Sequence, residues 1–183
     1  MSDATVAAEY GCTIESDDRT GGNAMRIVGI DPGKTGAIAV VEDAWADVQD
    51  CPVFGTRSRP GEFNPVEMWR LLDAYNPNRI IIEQAQAMPK QGVSSTFQTG
   101  YGYGIWVGLI AAFVAEYEVP WTAVRPAVWK RAMLAGLDKT DKTVSRVAAV
   151  RMFPQLSGQL ARVSDHGRAE ALLIAAYGQR EMG

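Results

Sequence analysis

The chain is poor in the residues that staple or span. Its 183 residues include two cysteines, Cys12 and Cys51, and one histidine, His166. Two cysteines cannot build a disulfide framework, which excludes a disulfide-dense scaffold and makes a reducing compartment the default. No apolar run approaches the ~18 residues that a membrane-spanning helix needs. Basic residues are not in excess either: 18 Lys and Arg face 21 Asp and Glu, for a net charge of −3. Phosphate binding is driven by Lys and Arg, so this balance argues against nucleic acid only if the charge is evenly spread. A hydrophobic content of 47% is ordinary for a globular protein, and the length suits one domain with one sizeable core.

The charge is not evenly spread. Residues 1–25 carry five acids (Asp3, Glu9, Glu15, Asp17, Asp18) against Arg19 and show no periodicity. They read as a disordered acidic tail, without the basic amphipathic or apolar stretch of a targeting signal. The remainder, 26–183, reads as one domain. Arg26-Ile-Val-Gly-Ile-Asp31 is a short apolar strand ending in a carboxylate. Pro32-Gly33 after it suits a type II turn with Gly33 at positive φ. Strands are expected over Thr35–Val41 and Trp45–Phe54, then a helix from Asn64-Pro65-Val66-Glu67 to Tyr75, with asparagine as cap and proline at the first position. Arg79-Ile-Ile-Ile-Glu83 is a buried strand, again ending in an acid. A long helix over about Ser94–Glu116, a strand over Val119–Val124 and three further helices complete a mixed five-stranded sheet flanked by helices.

Asp31 and Glu83 hold the chemical interest. In open α/β sheets, ligands bind at the carboxyl ends of the strands. Two carboxylates brought together there repel and raise each other's pKa unless a cation lies between them. Oxygen ligands of this kind suit Mg²⁺ or Mn²⁺. The last helix adds His166 and Glu170, four residues apart and so on one face, with Asp165 one position off it as helix-start chemistry.

Two other stretches suit DNA. Lys90, Phe97 and Gln98 lie around the start of the long helix, where a charge, an aromatic wedge and a hydrogen-bonding group can meet backbone and bases. Gly100, Gly102 and Gly104 each cost that helix ~1 kcal/mol relative to alanine, which implies close approach of another backbone, a partner helix or a ligand. Residues 125–151 carry seven bases, among them Lys130, Lys139, Lys142 and Arg146, against two acids, a local net of +5. Lys139 and Lys142 flank a helix start, a natural phosphate site.

Together these residues resemble the RuvC family of Holliday junction resolvases, of the ribonuclease H-like superfamily. The resemblance covers about Arg26–Arg180. It rests on Gly29-Ile-Asp-Pro-Gly33, Ile81-Ile-Glu-Gln84, Ala87-Met-Pro-Lys-Gln-Gly92 through Phe97-Gln-Thr-Gly100, Trp129-Lys130, Ser145-Arg146, Phe153-Pro154 and Gly167-Arg-Ala-Glu-Ala-Leu-Leu-Ile-Ala175. Several of these segments are similar to the branch that includes phage enzymes and the chloroplast resolvase of plants. The resemblance implies that Asp31, Glu83 and Glu170 are metal-binding acids. His166 and Asp165 compete for the fourth position, and the family pattern points to His166. It further implies two Mg²⁺ or Mn²⁺ per site, a homodimer built on the long helix with its glycines and Trp106 facing the partner, and paired nicks in a four-way DNA junction. No nucleotide cofactor and no membrane are expected. The expected location is the cytoplasm or nucleoid of a bacterial or phage-infected cell, since the tail does not support organellar import. A junction-binding protein without nuclease activity is the alternative. An actin-like phosphotransferase, suggested by Asp31-Pro-Gly-Lys-Thr-Gly36, would need a second similar half that 183 residues do not contain.

Overall fold

The computed structural model describes residues 25–56, 59–87, 92–138, 141 and 143–181. Lys90, Lys139, Lys142 and the acidic tail up to residue 24 lie outside the described residues. The chain runs β1 (Ile27–Asp31), β2 (Ala37–Glu42), β3 (Trp45–Asp50), β4 (Val53–Thr56), β5 (Arg59–Phe63), α1 (Pro65–Tyr75), β6 (Arg79–Glu83), α2 (Val93–Tyr117), β7 (Trp121–Val124), α3 (Pro126–Met133), α4 (Val144–Met152) and α5 (His166–Arg180). Two 3₁₀ segments, Pro154–Leu160 and Val163–Asp165, join α4 to α5.

The main sheet has the order β3-β2-β1-β6-β7. β1 pairs antiparallel with β2, and parallel with β6. This is the expected mixed five-stranded sheet. Alternation of side chains across the strands sends them to two cores. Ile27 and Ile81 pack toward α3, α4 and α5, while Val28, Ile30, Ile80 and Ile82 pack toward α1 and α2.

One expected strand is in fact two. Trp45–Phe54 breaks after Asp50, and β4 leaves the main sheet to form a separate hairpin with β5. Pro52 sits at the break and has no N–H to continue a ladder. β5 contains Pro60-Gly61, which reads as a turn and conceals the strand from pattern reading. The α1 start follows the expectation: the Asn64 side chain accepts from the Glu67 N–H at 3.3 Å, and Asn76 closes the helix in the left-handed region at φ 44°. Among the described residues, no helix is long and apolar enough to cross a membrane.

α5 lies against β1 almost backbone to backbone. A Cβ at Gly29 would stand 2.3 Å from both the Ala171 carbonyl oxygen and the Ala175 nitrogen. At the start of α5, a Cβ at Gly167 would stand 2.4 Å from the Thr35 carbonyl oxygen. Neither obstacle is a side chain that can swing away, so α5 must move to admit even a methyl group. Gly29→Ala is therefore expected to cost about 2–3 kcal/mol, at the upper end of overpacking effects. Urea denaturation measures this, and an unchanged midpoint would contradict the packing described.

Candidate active site

The sheet register places the first two acids side by side. Ile30 of β1 is paired with Ile82 of β6 in parallel, so the next residues, Asp31 and Glu83, end neighbouring strands. Both fall on the face shared by Ile27 and Ile81, the α5 side. The close seating of α5 brings Glu170, buried on its second turn, to the same place. The three acids that sequence reasoning selected from separate elements are thus gathered at one end of the sheet.

Electrostatics bears this out. Burial first, then the charges of Glu170 and Glu83, push the Asp31 carboxyl up to about 7. Burial and the Glu170 charge likewise raise Glu83, against a hydrogen bond from Trp129 and the nearby Lys130. Burial also works to raise Glu170, but His166 and Lys130 outweigh it and hold that carboxyl below the ordinary range. His166 is raised in return, chiefly by its hydrogen bond with Glu170.

Glu170 is the best-held of the three. Its Oε1 lies 2.7 Å from Lys130 Nζ and 3.2 Å from His166 Nε2, and accepts from the Ser145 hydroxyl at 3.2 Å. Glu83 Oε2 accepts from the Trp129 indole N–H at 2.7 Å. Asp31 Oδ1 accepts a longer bond from the Gly33 N–H at 3.4 Å. As the side chains stand, no three of the described His, Cys, Asp and Glu residues close tightly enough to hold a metal ion. The Lys130 ammonium is drawn against Glu170.

Of the two candidates for the fourth position, the structure turns His166 toward Glu170. Asp165 is fully buried in the preceding 3₁₀ turn, where Oδ2 accepts from the Arg162 N–H at 2.7 Å. Its carboxylate is used to shape the entry to α5.

Three expectations change in detail. Gly33 does not adopt positive φ. Glycine is needed instead at Gly36, where a Cβ would stand 2.2 Å from the Asp31 carbonyl oxygen, and the turn closes by Gly36 N–H donating to the Gly33 carbonyl at 2.9 Å. Trp106 is fully buried in the α1–α2 core and does not face outward. Gly102 also faces inward, with a Cβ there 2.8 Å from the Pro32 carbonyl oxygen, so α2 packs directly onto the turn that follows Asp31. Lys130, expected as a DNA contact within a basic stretch, reaches into the acid cluster.

The remaining DNA candidates divide. Phe97 is 66% exposed and stacked on Tyr101, with ring centres 6.1 Å apart, and Gln98 is exposed beside it. Arg146 donates to the Leu160 and Ala161 carbonyls, so its guanidinium braces the end of the first 3₁₀ segment. A cavity of about 290 Å³ beside the β1–β2 turn is lined by Lys34, Asp50 and Arg168 among others, but by none of the three acids. Trp129 and Ser145 are the site residues that residue chemistry and spacing did not select. Their signal in the sequence lies only in the short segments Trp129-Lys130 and Ser145-Arg146 that carry the family resemblance.

The Asp31 shift has a consequence for stability. A carboxyl raised from 3.8 to about 7 on folding stabilises the fold at low pH and withdraws that contribution as pH rises through 7. Metal-free protein is expected to lose stability as pH rises from about 4 to about 7, and Asp31→Asn to be more stable than wild type at pH 8 by about 2–4 kcal/mol. Denaturation in EDTA at several pH values measures this. Asp31→Asn no more stable than wild type at pH 8 would contradict it.

No protein-family model matches the chain, and no curated protein matches it in sequence. Solved structures do match. RuvC of Thermus thermophilus in complex with Holliday junction substrate is 20% identical, aligning 86% of this chain with 96% of that one at a TM-score of 0.55. The structure of Thermus thermophilus RuvC is 19% identical, aligning 86% with 97% at 0.53. The yeast mitochondrial Holliday junction resolvase Ydc2 is 15% identical over 85% of this chain and 79% of that one, at 0.46. The sheet order, the flanking helices and the two Thermus thermophilus alignments agree: the chain has the RuvC fold, of the ribonuclease H-like type.

Proposed function

We propose that the chain is a metal-dependent, structure-specific endonuclease that resolves four-way DNA junctions by paired symmetric nicks. The observation that carries the reading is the gathering of Asp31, Glu83 and Glu170 at one sheet end, with Asp31 and Glu83 both raised by burial and by their neighbours' charge. Three acids that disfavour each other's ionisation are a poor structural choice without a cation. The fold shared with a RuvC solved on a Holliday junction substrate points to the substrate.

The donor set fits hard divalent cations. Asp31, Glu83, Glu170 and His166 would hold two Mg²⁺ or Mn²⁺. Bound there, the ions would supply a water activated for attack on phosphorus and stabilisation of the leaving 3′-oxygen. The chain's own residues do the positioning. The β1 and β6 ends fix the Asp31 and Glu83 backbones in register, and α5 presents Glu170 and His166 from one helix face. Lys130 places a positive charge within 2.7 Å of Glu170, where it can offset charge on a phosphoryl group in the transition state. The exposed Phe97–Tyr101 stack offers a flat apolar surface to an unstacked base. Lys90, Lys139 and Lys142 are proposed as phosphate contacts. The proposed dimer uses the outer face of α2, where Gly100, Gly104 and Gly108 have no atom within 4 Å of an added Cβ. A four-way junction is close to two-fold symmetric, so paired nicks call for two sites related by a two-fold axis.

Synthetic four-way junctions test the reading. Wild type with Mg²⁺ is expected to introduce paired nicks. Asp31→Asn and Glu170→Gln are expected to bind the junction while cutting slower by about 100-fold or more, the scale on which one placed charged group acts. An Asp31→Asn protein that cuts like wild type would overturn the assignment. Wild type that binds junctions but cuts with neither Mg²⁺ nor Mn²⁺ would favour the non-catalytic alternative.

A further inference from the structure

Strand register fixes the backbone of Glu83, but not its carboxylate, which hangs on a flexible stem. Asp31 has a shorter stem, and Glu170 is held by Lys130, His166 and Ser145. Among the described residues, the donor to Glu83 is the Trp129 indole, at 2.7 Å. An indole has one N–H and no acceptor, so its direction is set entirely by the ring. Packing fixes that ring's place: Trp129 is fully buried among the residues between the sheet and α5. It sits on α3, which Pro126 opens directly after β7, the strand paired with β6 through Glu83 and Val124. Trp106 is equally buried, and its indole is directed at the Cys51 thiol and not at a carboxylate, so aiming an indole at a carboxylate is not imposed by burial alone. Consecutive residues of α3 therefore serve two acids, Trp129 holding Glu83 and Lys130 reaching Glu170.

We infer that Trp129 is a positioning residue for the metal centre, its indole N–H orienting the Glu83 carboxylate to receive a divalent cation. The inference rests on the metal-dependent reading above. With Oε2 committed to the indole, Oε1 and the remaining Oε2 lone pair stay available as hard ligands. Hydrogen bonds to a ligating group set its orientation, and removing them typically weakens metal binding by about 10–100-fold.

The test is Mn²⁺ binding to DNA-free protein, read by the electron paramagnetic resonance of free Mn²⁺. Trp129→Phe keeps most of the ring and deletes the donor. It is expected to bind Mn²⁺ about 10-fold more weakly or worse, to raise the Mg²⁺ concentration for half-maximal cleavage in step, and to recover most of its cleavage rate at saturating Mg²⁺. Its junction affinity without divalent ions is expected to match wild type. Wild-type Mn²⁺ affinity in Trp129→Phe would overturn the inference while leaving the nuclease reading in place. Absence of Mn²⁺ binding to wild type would overturn both. Nuclear magnetic resonance supplies a second measurement should Trp129→Phe fail to fold. The Trp129 indole N–H signal of the wild-type protein is expected to move on Mg²⁺ addition and to shift upfield in Glu83→Ala, and a signal indifferent to both would also overturn the inference.

Discussion

The repulsion among three carboxylates organises this molecule. Asp31, Glu83 and Glu170 come from two strands and a helix that are distant in sequence, and each loses solvation as it enters the cluster. Burial and like charge act in the same direction on Asp31 and Glu83, so the fold carries an electrostatic cost that packing elsewhere must cover. The surroundings look like a response to that cost. Lys130, His166 and Ser145 converge on one oxygen of Glu170, and Trp129 holds Glu83. These groups hold Glu170 below the ordinary carboxylate range; they leave Asp31 and Glu83 still raised. A divalent cation is the natural complement of those two residues.

The cluster exists because the scaffold beneath it is tight. Glycine at 29 lets α5 lie on β1, glycine at 167 lets its first turn lie on the β1–β2 turn, and glycine at 102 lets α2 lie on Pro32. Three backbone contacts thus converge around Asp31 from both faces of the sheet. The consequence is pre-organisation: the strand ends cannot drift apart to relieve the repulsion, and the site stays poised for a positive charge.

Much of this was legible in the sequence, and the parts that were not share a cause. Asp31 and Glu83 could be found because an apolar strand that ends in an acid is a local pattern, and parallel neighbours place such acids side by side. The main sheet followed from the same local patterns. The β4–β5 hairpin did not, because Pro60-Gly61 carries turn chemistry inside a strand. Lys130 reads from the sequence as one of a basic stretch because a charge run says how many bases there are, not which way each points. Trp106 reads as outward-facing for a similar reason. α2 is apolar nearly all round, so its periodicity does not separate inside from outside. Trp129 and Ser145 were invisible to residue chemistry because their roles arise only when α3 and α4 dock against the sheet. Tertiary contact assigns them, and spacing does not.

The measurement that tests the central claim most directly is anomalous diffraction from crystals of the protein equilibrated with Mn²⁺. The account requires anomalous peaks at the acid cluster, contacted by Asp31 together with Glu83 and Glu170. Crystals saturated with Mn²⁺ that show no peak among these three acids would contradict it.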